Sequence, residues 1–317
     1  MFVRWMWSIE SSFGNKAYDV ASNDCTAADM INYSPTGQKD VNAYQRQSLK
    51  EDNMACCLTI AGSDSGGNAG VQADLRAFHA YGLHGCTVFA ALTAQNPFGV
   101  SAVHAVPPDF IAAQLDAVLD VYAIKALKTG MLADAAAIEV VADRIAAHAE
   151  IAKVIDPVMV ATSGVRLIAD DAVQTLASKL LPLAMVITPN LPEAAVLAGR
   201  PIKCRADVRE AAKSLHGRFG CAVLVKGGHA TGDLAAAEDT LYDGKEFSTY
   251  TLPYIANPVS THGTGCSLAA SLAAELALGR DLKTAVAGAK AYVHRAIATS
   301  YWVGRDCGVL GWGVDHG

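Results

Sequence analysis

Charge is scarce in this chain: Asp, Glu, Lys and Arg make up 18% of its 317 residues, and 25 basic against 31 acidic side chains leave a net charge of −6. That balance gives no general attraction to phosphodiester backbones or anionic bilayers, so neither nucleic acid nor membrane is expected as a partner. The eight cysteines (Cys25, Cys56, Cys57, Cys86, Cys204, Cys221, Cys266 and Cys307) are too dilute for a disulfide scaffold and include no C-x-x-C pair. A reducing, cytoplasmic setting suits them. Long apolar runs are also missing, because the charge-free stretch between Arg76 and Asp109 is interrupted by Gln95, Asn96, Pro97, Pro107 and Pro108. Met1 to Glu10 contains no apolar run of signal-peptide length, and the acids that follow argue against a transit peptide, so no export is expected. Neither G-x-x-x-x-G-K-[ST] nor G-x-G-x-x-G occurs, which removes the two standard nucleotide fingerprints. The absence of G-x-S-x-G and H-E-x-x-H lowers the rank of hydrolysis.

What is present is an ordinary globular composition, with 52% hydrophobic residues, 27 Gly and 11 Pro. At ~150 residues per domain the length allows about two units, or one large α/β unit. Residues 1–54 are rich in Asn, Ser, Asp, Lys and Gln and show no sustained period, so they read as a poorly ordered extension. The alternative is that translation starts at Met54 and the upstream codons are a start-site artefact. Residues 55–317 read as one domain, since no repeat or linker divides them.

From Cys57 onward, short apolar runs alternate with longer segments of three-and-four spacing. The runs are Cys57–Ala61, Thr87–Leu92, Ile124–Leu127, Lys153–Ile155, Met185–Ile187 and Cys221–Val225. Helices are expected near 69–81, 108–120, 133–148, 170–180 and 205–217, with two Ala-rich ones near 266–278 and 281–300. Strands without a polar face are buried on both sides, so the fold class is α/β: a mainly parallel central sheet with helices on both faces. Asp243-Gly244, between Thr240–Tyr242 and Phe247–Leu252, signals a small antiparallel hairpin.

Open parallel sheets bind ligands beyond the carboxyl ends of their strands, which directs attention to the residues just after each run. The most informative of these is Gly263-Thr264-Gly265-Cys266, where glycines lead into a long Ala/Leu helix. Unpaired N–H groups at a helix start and the helix dipole favour an anion there, and the same field favours a thiolate at Cys266. The competing reading is a small residue at a tightly packed helix start. In the loop Gly62 to Gly70, glycines let backbone approach a small ligand, although Asp64 or Ser65 capping the next helix explains the same residues. Asp156 and Glu193 follow different strands, with Asn190 three residues before Glu193, an arrangement that could face a hydrated Mg²⁺. Equally, Glu193 serves as a first-turn acid after Pro192. His229 and His262 lie in loops and are given no catalytic role.

Taken together, Ala61-Gly62-Ser63-Asp64-Ser65-Gly66-Gly67, Ala91 to Asn96, Lys128-Thr129-Gly130-Met131-Leu132, Asp156 to Val160, Thr188 to Glu193, Val225 to His229 and His262 to Cys266 carry a resemblance running from about Leu58 to Ile297. The chain resembles the hydroxymethylpyrimidine/phosphomethylpyrimidine kinases of thiamine biosynthesis, within the ribokinase-like superfamily. The resemblance implies ATP-dependent phosphorylation of 4-amino-5-hydroxymethyl-2-methylpyrimidine, then of its monophosphate to the pyrophosphate. It implies Cys266 as catalytic base on the Gly263-Thr264-Gly265 turn, and a pyrimidine pocket lined by Gly62, Asp74, Gln95, Met131 and Val158. It implies Asp156, Asn190 and Glu193 on the ATP phosphates and Mg²⁺ (Asp156 and Glu193 through water), Lys226 in the nucleotide-side loop, and a homodimer. The extension before Met54, Asn68 in place of a third consecutive glycine, Pro97, and the tail from Tyr301 depart from the family pattern. The rival readings are a pyridoxal kinase of the same fold and a non-catalytic pyrimidine-binding protein.

Overall fold

Strand residues alternate between the two faces of a sheet, and here both faces are apolar. In the structure, a computed structural model that describes residues 54–159, 169–227 and 237–313, this pattern produces two cores. Leu58 and Ile60 of β1 (Cys56–Asp64) point to one face and Cys57 to the other. The first face is covered by α2 (Pro108–Leu119), α3 (Ala135–Ala146), α4 (Asp170–Thr175), α5 (Leu191–Ala198) and α6 (Arg205–Phe219). The second is covered by α1 (Gly70–Ala80), α7 (Thr264–Ala277) and α8 (Leu282–Ala298). Fully buried side chains such as Leu58 and Ile60 on one face and Val154 and Leu224 on the other each contribute roughly 1.5–3 kcal/mol relative to exposure, which fixes both layers on the sheet.

The remaining strands are β2 (His84–Asn96), β3 (Gly99–Ala105), β4 (Ile124–Thr129), β5 (Ala152–Ile155), β6 (Val186–Ile187), β7 (Ala222–Val225), β8 (Glu238–Tyr242) and β9 (Phe247–Thr251). They form one sheet in the order β3-β2-β1-β4-β5-β6-β7-β8-β9. The stretch from β2 to β7 is parallel, and β3, β8 and β9 are antiparallel additions at the two edges. The α/β reading therefore holds, and the Asp243-Gly244 turn joins β8 to β9 with Tyr242 opposite Phe247. Strand order reverses between β1 and β4, which is the switch point where such sheets open a crevice.

Three features depart from the sequence reading. β2 continues through Thr93–Asn96 to pair with the exposed strand β3, so Gln95 stands on a projecting arm. The helix expected at 170–180 is α-helical only to Thr175, then widens to a π turn at Leu176–Leu180 and closes as 3₁₀ at Leu181–Leu183, where Pro182 denies a backbone donor. A second, two-stranded sheet, β10 (Tyr301–Gly304) with β11 (Cys307–Val309), follows α8. The extension expected over residues 1–54 falls, except for Met54, outside the described residues, as does His229. No helix among the described residues is long and apolar enough to cross a membrane.

Candidate active site

The carboxyl ends of the parallel strands surround a cavity of about 510 Å³, within the range of small-molecule sites. β1 leads into the loop Gly62 to Gly70, whose shape is set by one buried acid. Asp64 accepts the N–H groups of Gly66 at 2.8 Å, Asn68 at 2.9 Å and Ala69 at 2.8 Å. The N-cap of α1 is Ala69, so Asp64 organises the loop instead of occupying the cap position, and those three N–H groups are unavailable to a ligand. Gly62 lies on the cavity wall with its N–H on the Met131 carbonyl at 3.0 Å, which brings the first loop against the end of β4. Met131 and Val158 also face the cavity and are apolar. Gln95 completes this side. Ser65 ties its backbone through Oγ at 2.8 Å, Thr93 donates to its Oε1 at 3.2 Å, and its Nε2 donates to nothing among the described residues.

Asp74 does not belong to this wall. It is 0% exposed, one layer behind the cavity, where both its oxygens accept from the Nζ of Lys128, at 3.1 and 2.8 Å, and Thr59 donates to Oδ2 at 2.6 Å. The expected pyrimidine contact is replaced by a support under the floor, because an acid at that turn of α1 faces the sheet. Lys128 supplies the matching cation. Embedded in the apolar strand Ile124–Thr129, it carries only a weak sequence signal, yet it borders both the cavity and Asp74.

Opposite the glycine loop, α7 begins at Gly263, whose φ of 88° is left-handed and whose missing Cβ would lie 1.9 Å from the Asn68 carbonyl oxygen. Only glycine admits that approach, and it joins the first and last loops backbone to backbone. Thr264 turns back to Thr261, and Ser267 donates its N–H to the Gly263 carbonyl. The N–H groups of Gly265 and Cys266 have no acceptor among the described residues, and both residues border the cavity. Cys266 is half-buried there. Burial pushes its thiol above 9.0, Lys128 pulls it down, and Asp74 and Asp156 push it up again. Desolvation is the largest of these influences, so the thiol is favoured over the expected thiolate in the ligand-free site. His262 also lines the cavity, with Nε2 4.0 Å from Asp64, and burial lowers its basicity.

A third group closes the ring. Lys226, at the end of β7, donates to Asp156 Oδ1 at 2.7 Å, and Thr188 donates to the same oxygen at 2.9 Å. A Cβ on Gly265 would sit 3.6 Å from the Lys226 Nζ, so this ammonium stands beside the α7 turn. Asn190 and Glu193 build a reciprocal capping box: Asn190 Oδ1 accepts from Glu193 N at 2.9 Å, and Glu193 Oε2 accepts from Asn190 N at 2.8 Å. Glu193 thus serves as a first-turn acid and also borders the cavity. Burial raises its carboxyl to about 7 against the pull of Lys226, with Asp156 adding to the rise. Among the described residues no three His, Cys, Asp or Glu side chains cluster as a metal cage. Asp156 Oδ2 accepts nothing there, and with Glu193 it forms a small set of hard oxygen donors of the kind suited to a largely hydrated Mg²⁺. On the far side, Asp239 and Lys290 form a 2.7 Å buried ion pair that sequence inspection did not single out.

A thiol and two unbonded N–H groups at a helix start, facing a lysine and carboxylates over a ligand-sized cleft, satisfy what phosphoryl transfer requires, namely positioning and charge stabilisation. Together with the sheet order they define a kinase of ribokinase-like class. The family model for phosphomethylpyrimidine kinase matches residues 64–311, and the chain belongs to that family. It is 48% identical over 254 residues to the hydroxymethylpyrimidine/phosphomethylpyrimidine kinase of Synechococcus elongatus, covering 80% of this chain and 95% of that one. It is 46% identical over 252 residues to the thiamine biosynthesis bifunctional protein ThiED of Geobacter sulfurreducens. That match takes in 79% of this chain and spans about half, 51%, of the relative. Among solved structures, the ADP complex of Bacillus subtilis pyridoxal kinase superposes with a TM-score of 0.74 at 37% identity, covering 81% of this chain and 97% of that one.

Proposed function

We propose that this chain phosphorylates the hydroxymethyl group of 4-amino-5-hydroxymethyl-2-methylpyrimidine from ATP, and then the resulting monophosphate to the pyrophosphate. The observation that carries this reading is Cys266 on the cavity wall, at the first turn of α7, beside the unbonded N–H groups of Gly265 and Cys266. The pyrimidine lies between Gly62, Met131 and Val158, with the free amide nitrogen of Gln95 donating to a ring nitrogen and its oxygen accepting from the amino group. Cys266 as thiolate takes the hydroxyl proton while the substrate oxygen bonds to the γ-phosphorus and the bond to the departing ADP oxygen breaks. The Gly263–Cys266 turn faces the charge that develops on the transferring group. Lys226 stands on the phosphate side and Asn190 holds the backbone of that wall through its cap. Asp156 and Glu193 would hold Mg²⁺ through water, and the ion would neutralise phosphate charge when bound.

Because the thiol is raised by burial, the proton acceptor is scarce at neutral pH and must form as substrate enters, with Lys128 the adjacent cation that favours it. Incubation with ATP, Mg²⁺ and the pyrimidine, followed by chromatographic separation of mono- and diphosphate, tests the reading; absence of both products refutes it. The likeness to Bacillus subtilis pyridoxal kinase supports a second reading, phosphorylation of pyridoxal at the same site, and the ratio of kcat/KM for the two substrates decides between them. The protein acts as a cytoplasmic homodimer in this account, which sedimentation and fractionation test.

A further inference from the structure

The tail after α8, expected to depart from the family pattern from Tyr301, is matched to the family as far as residue 311. The next residue, Trp312, is nonetheless only 8% exposed. Its surroundings connect two segments that are far apart in sequence and adjacent in the site. The indole N–H donates to Ser267 Oγ at 3.2 Å, one residue beyond Cys266. The Arg76 guanidinium lies 4.4 Å from the indole ring centroid, and Arg76 Nη1 donates to the carbonyl of Gly67 in the glycine loop. The tail reaches this position by close backbone packing. Gly311 donates its N–H to the Ala296 carbonyl at 2.9 Å, and a Cβ on Gly308 would lie 2.4 Å from the Val259 carbonyl oxygen.

We propose that Trp312 and Arg76 are positioning residues that brace the glycine loop against the Cys266 turn. Asp64 holds the Gly66, Asn68 and Ala69 N–H groups from inside the loop, and Arg76 holds the Gly67 carbonyl from outside it. The loop is therefore fixed on two sides, and its external anchor lies over the same indole whose N–H bonds Ser267. Gly263 meets Asn68 with no room for a side chain, so any slackening of the loop opens a close backbone contact between the substrate side and the catalytic turn. A guanidinium held over an indole loses little of its fork geometry on binding a carbonyl, which suits it to hold a fixed spacing. Neither side chain borders the cavity, so both act through the loop and the turn.

The kinetic part of this inference rests on the proposed function, whereas amide hydrogen exchange on the ligand-free, full-length protein does not. In Arg76→Gln, peptides covering 62–72 and 261–268 are expected to exchange at least ten-fold faster, with the β4 peptide unchanged. The same variant should raise KM for the pyrimidine about ten-fold and lower kcat, while KM for ATP stays within two-fold and Tm changes by only a few degrees. Trp312→Phe retains the stacking surface but loses the bond to Ser267, so it should loosen 261–268 more than 62–72. Trp312→Ala should loosen both. Should Trp312→Ala fail to fold, Arg76→Gln carries the test, because its side chain is on the surface. Wild-type exchange in both loops of Arg76→Gln and Trp312→Phe overturns the brace. Faster exchange with unchanged kcat and KM shows a structural clasp only and also overturns the positioning role. If the wild-type protein forms no product from the pyrimidine, the functional reading fails while the exchange result still judges the brace.

Discussion

Replacing Asp74 by alanine strands the Lys128 ammonium in a site where both side chains are 0% exposed and their closest atoms are 2.8 Å apart. At that distance and an effective dielectric constant of ~20, the gross attraction is about 6 kcal/mol. Burial raises the Asp74 carboxyl while Lys128 and Thr59 draw it down, so desolvation offsets much of this attraction in the intact pair. Removing one partner exposes the full cost of the other, typically about 3–5 kcal/mol, or a factor of about 10² or more in the folding equilibrium. Urea denaturation followed by circular dichroism should therefore show Asp74→Ala losing about that amount. The double variant Asp74→Leu/Lys128→Met, which removes both charges, should return to within about 2 kcal/mol of wild type. An Asp74→Ala protein within ~0.5 kcal/mol of wild type, with its defect confined to KM for the pyrimidine, would refute the buried-support assignment and restore Asp74 to the pocket wall.

Other outcomes follow from the same geometry. In the absence of divalent cations the folded state keeps a proton on Glu193 up to about pH 7, whereas the unfolded chain releases it near 4.5, so this group makes stability fall as pH climbs between those values. Glu193→Gln should remove that fall, and a wild-type-minus-variant stability difference that grows with pH over the interval contradicts it. The Cys266 thiol is raised from 9.0, so kcat/KM should still be climbing at pH 8.5; a plateau below pH 7 would point to a different base. Burial lifts Cys57 and Cys221 to about 12 and Cys86 to about 11. Native alkylation at pH 8 should therefore leave those three intact and reach Cys266 before them, with substrate slowing that reaction, as peptide mapping would show. Gly263→Ala must both adopt a left-handed φ and displace the Asn68 carbonyl, so a loss of more than ten-fold in turnover is expected.

Burial of Leu58, Ile60 and Leu127 on one face and of Cys57, Ala126 and Val154 on the other leaves apolar runs without a polar alternation, which is why the parallel sheet was legible. β3 was not, because Gly99–Ala105 is largely exposed and its pairing depends on β2 extending beyond its apolar run. The eight-residue α5 was legible only through Pro192 and Glu193 at its start, while Asn190 and Glu193 were also read as ligands; the capping box uses Asn190 and Glu193 at the helix start and leaves both at the cavity. The ring of strand ends was visible because each loop follows an apolar run. The direction of a side chain at a helix position was not: Asp74 and Gln72 lie on one helix, but Asp74 turns under the floor to Lys128 while Gln72 reaches the loop. Trp312 was equally opaque, since nothing near it in sequence indicates that it folds back on Arg76 and Ser267.

The most direct test of the account is single-turnover product formation by Cys266→Ala with saturating ATP, Mg²⁺ and hydroxymethylpyrimidine, alongside calorimetric binding of the pyrimidine. Wild-type affinity and a rate lower by at least about 10² are expected. A variant that binds the pyrimidine and turns over within a few-fold of wild type would show that the α7 sulfur does not take the proton.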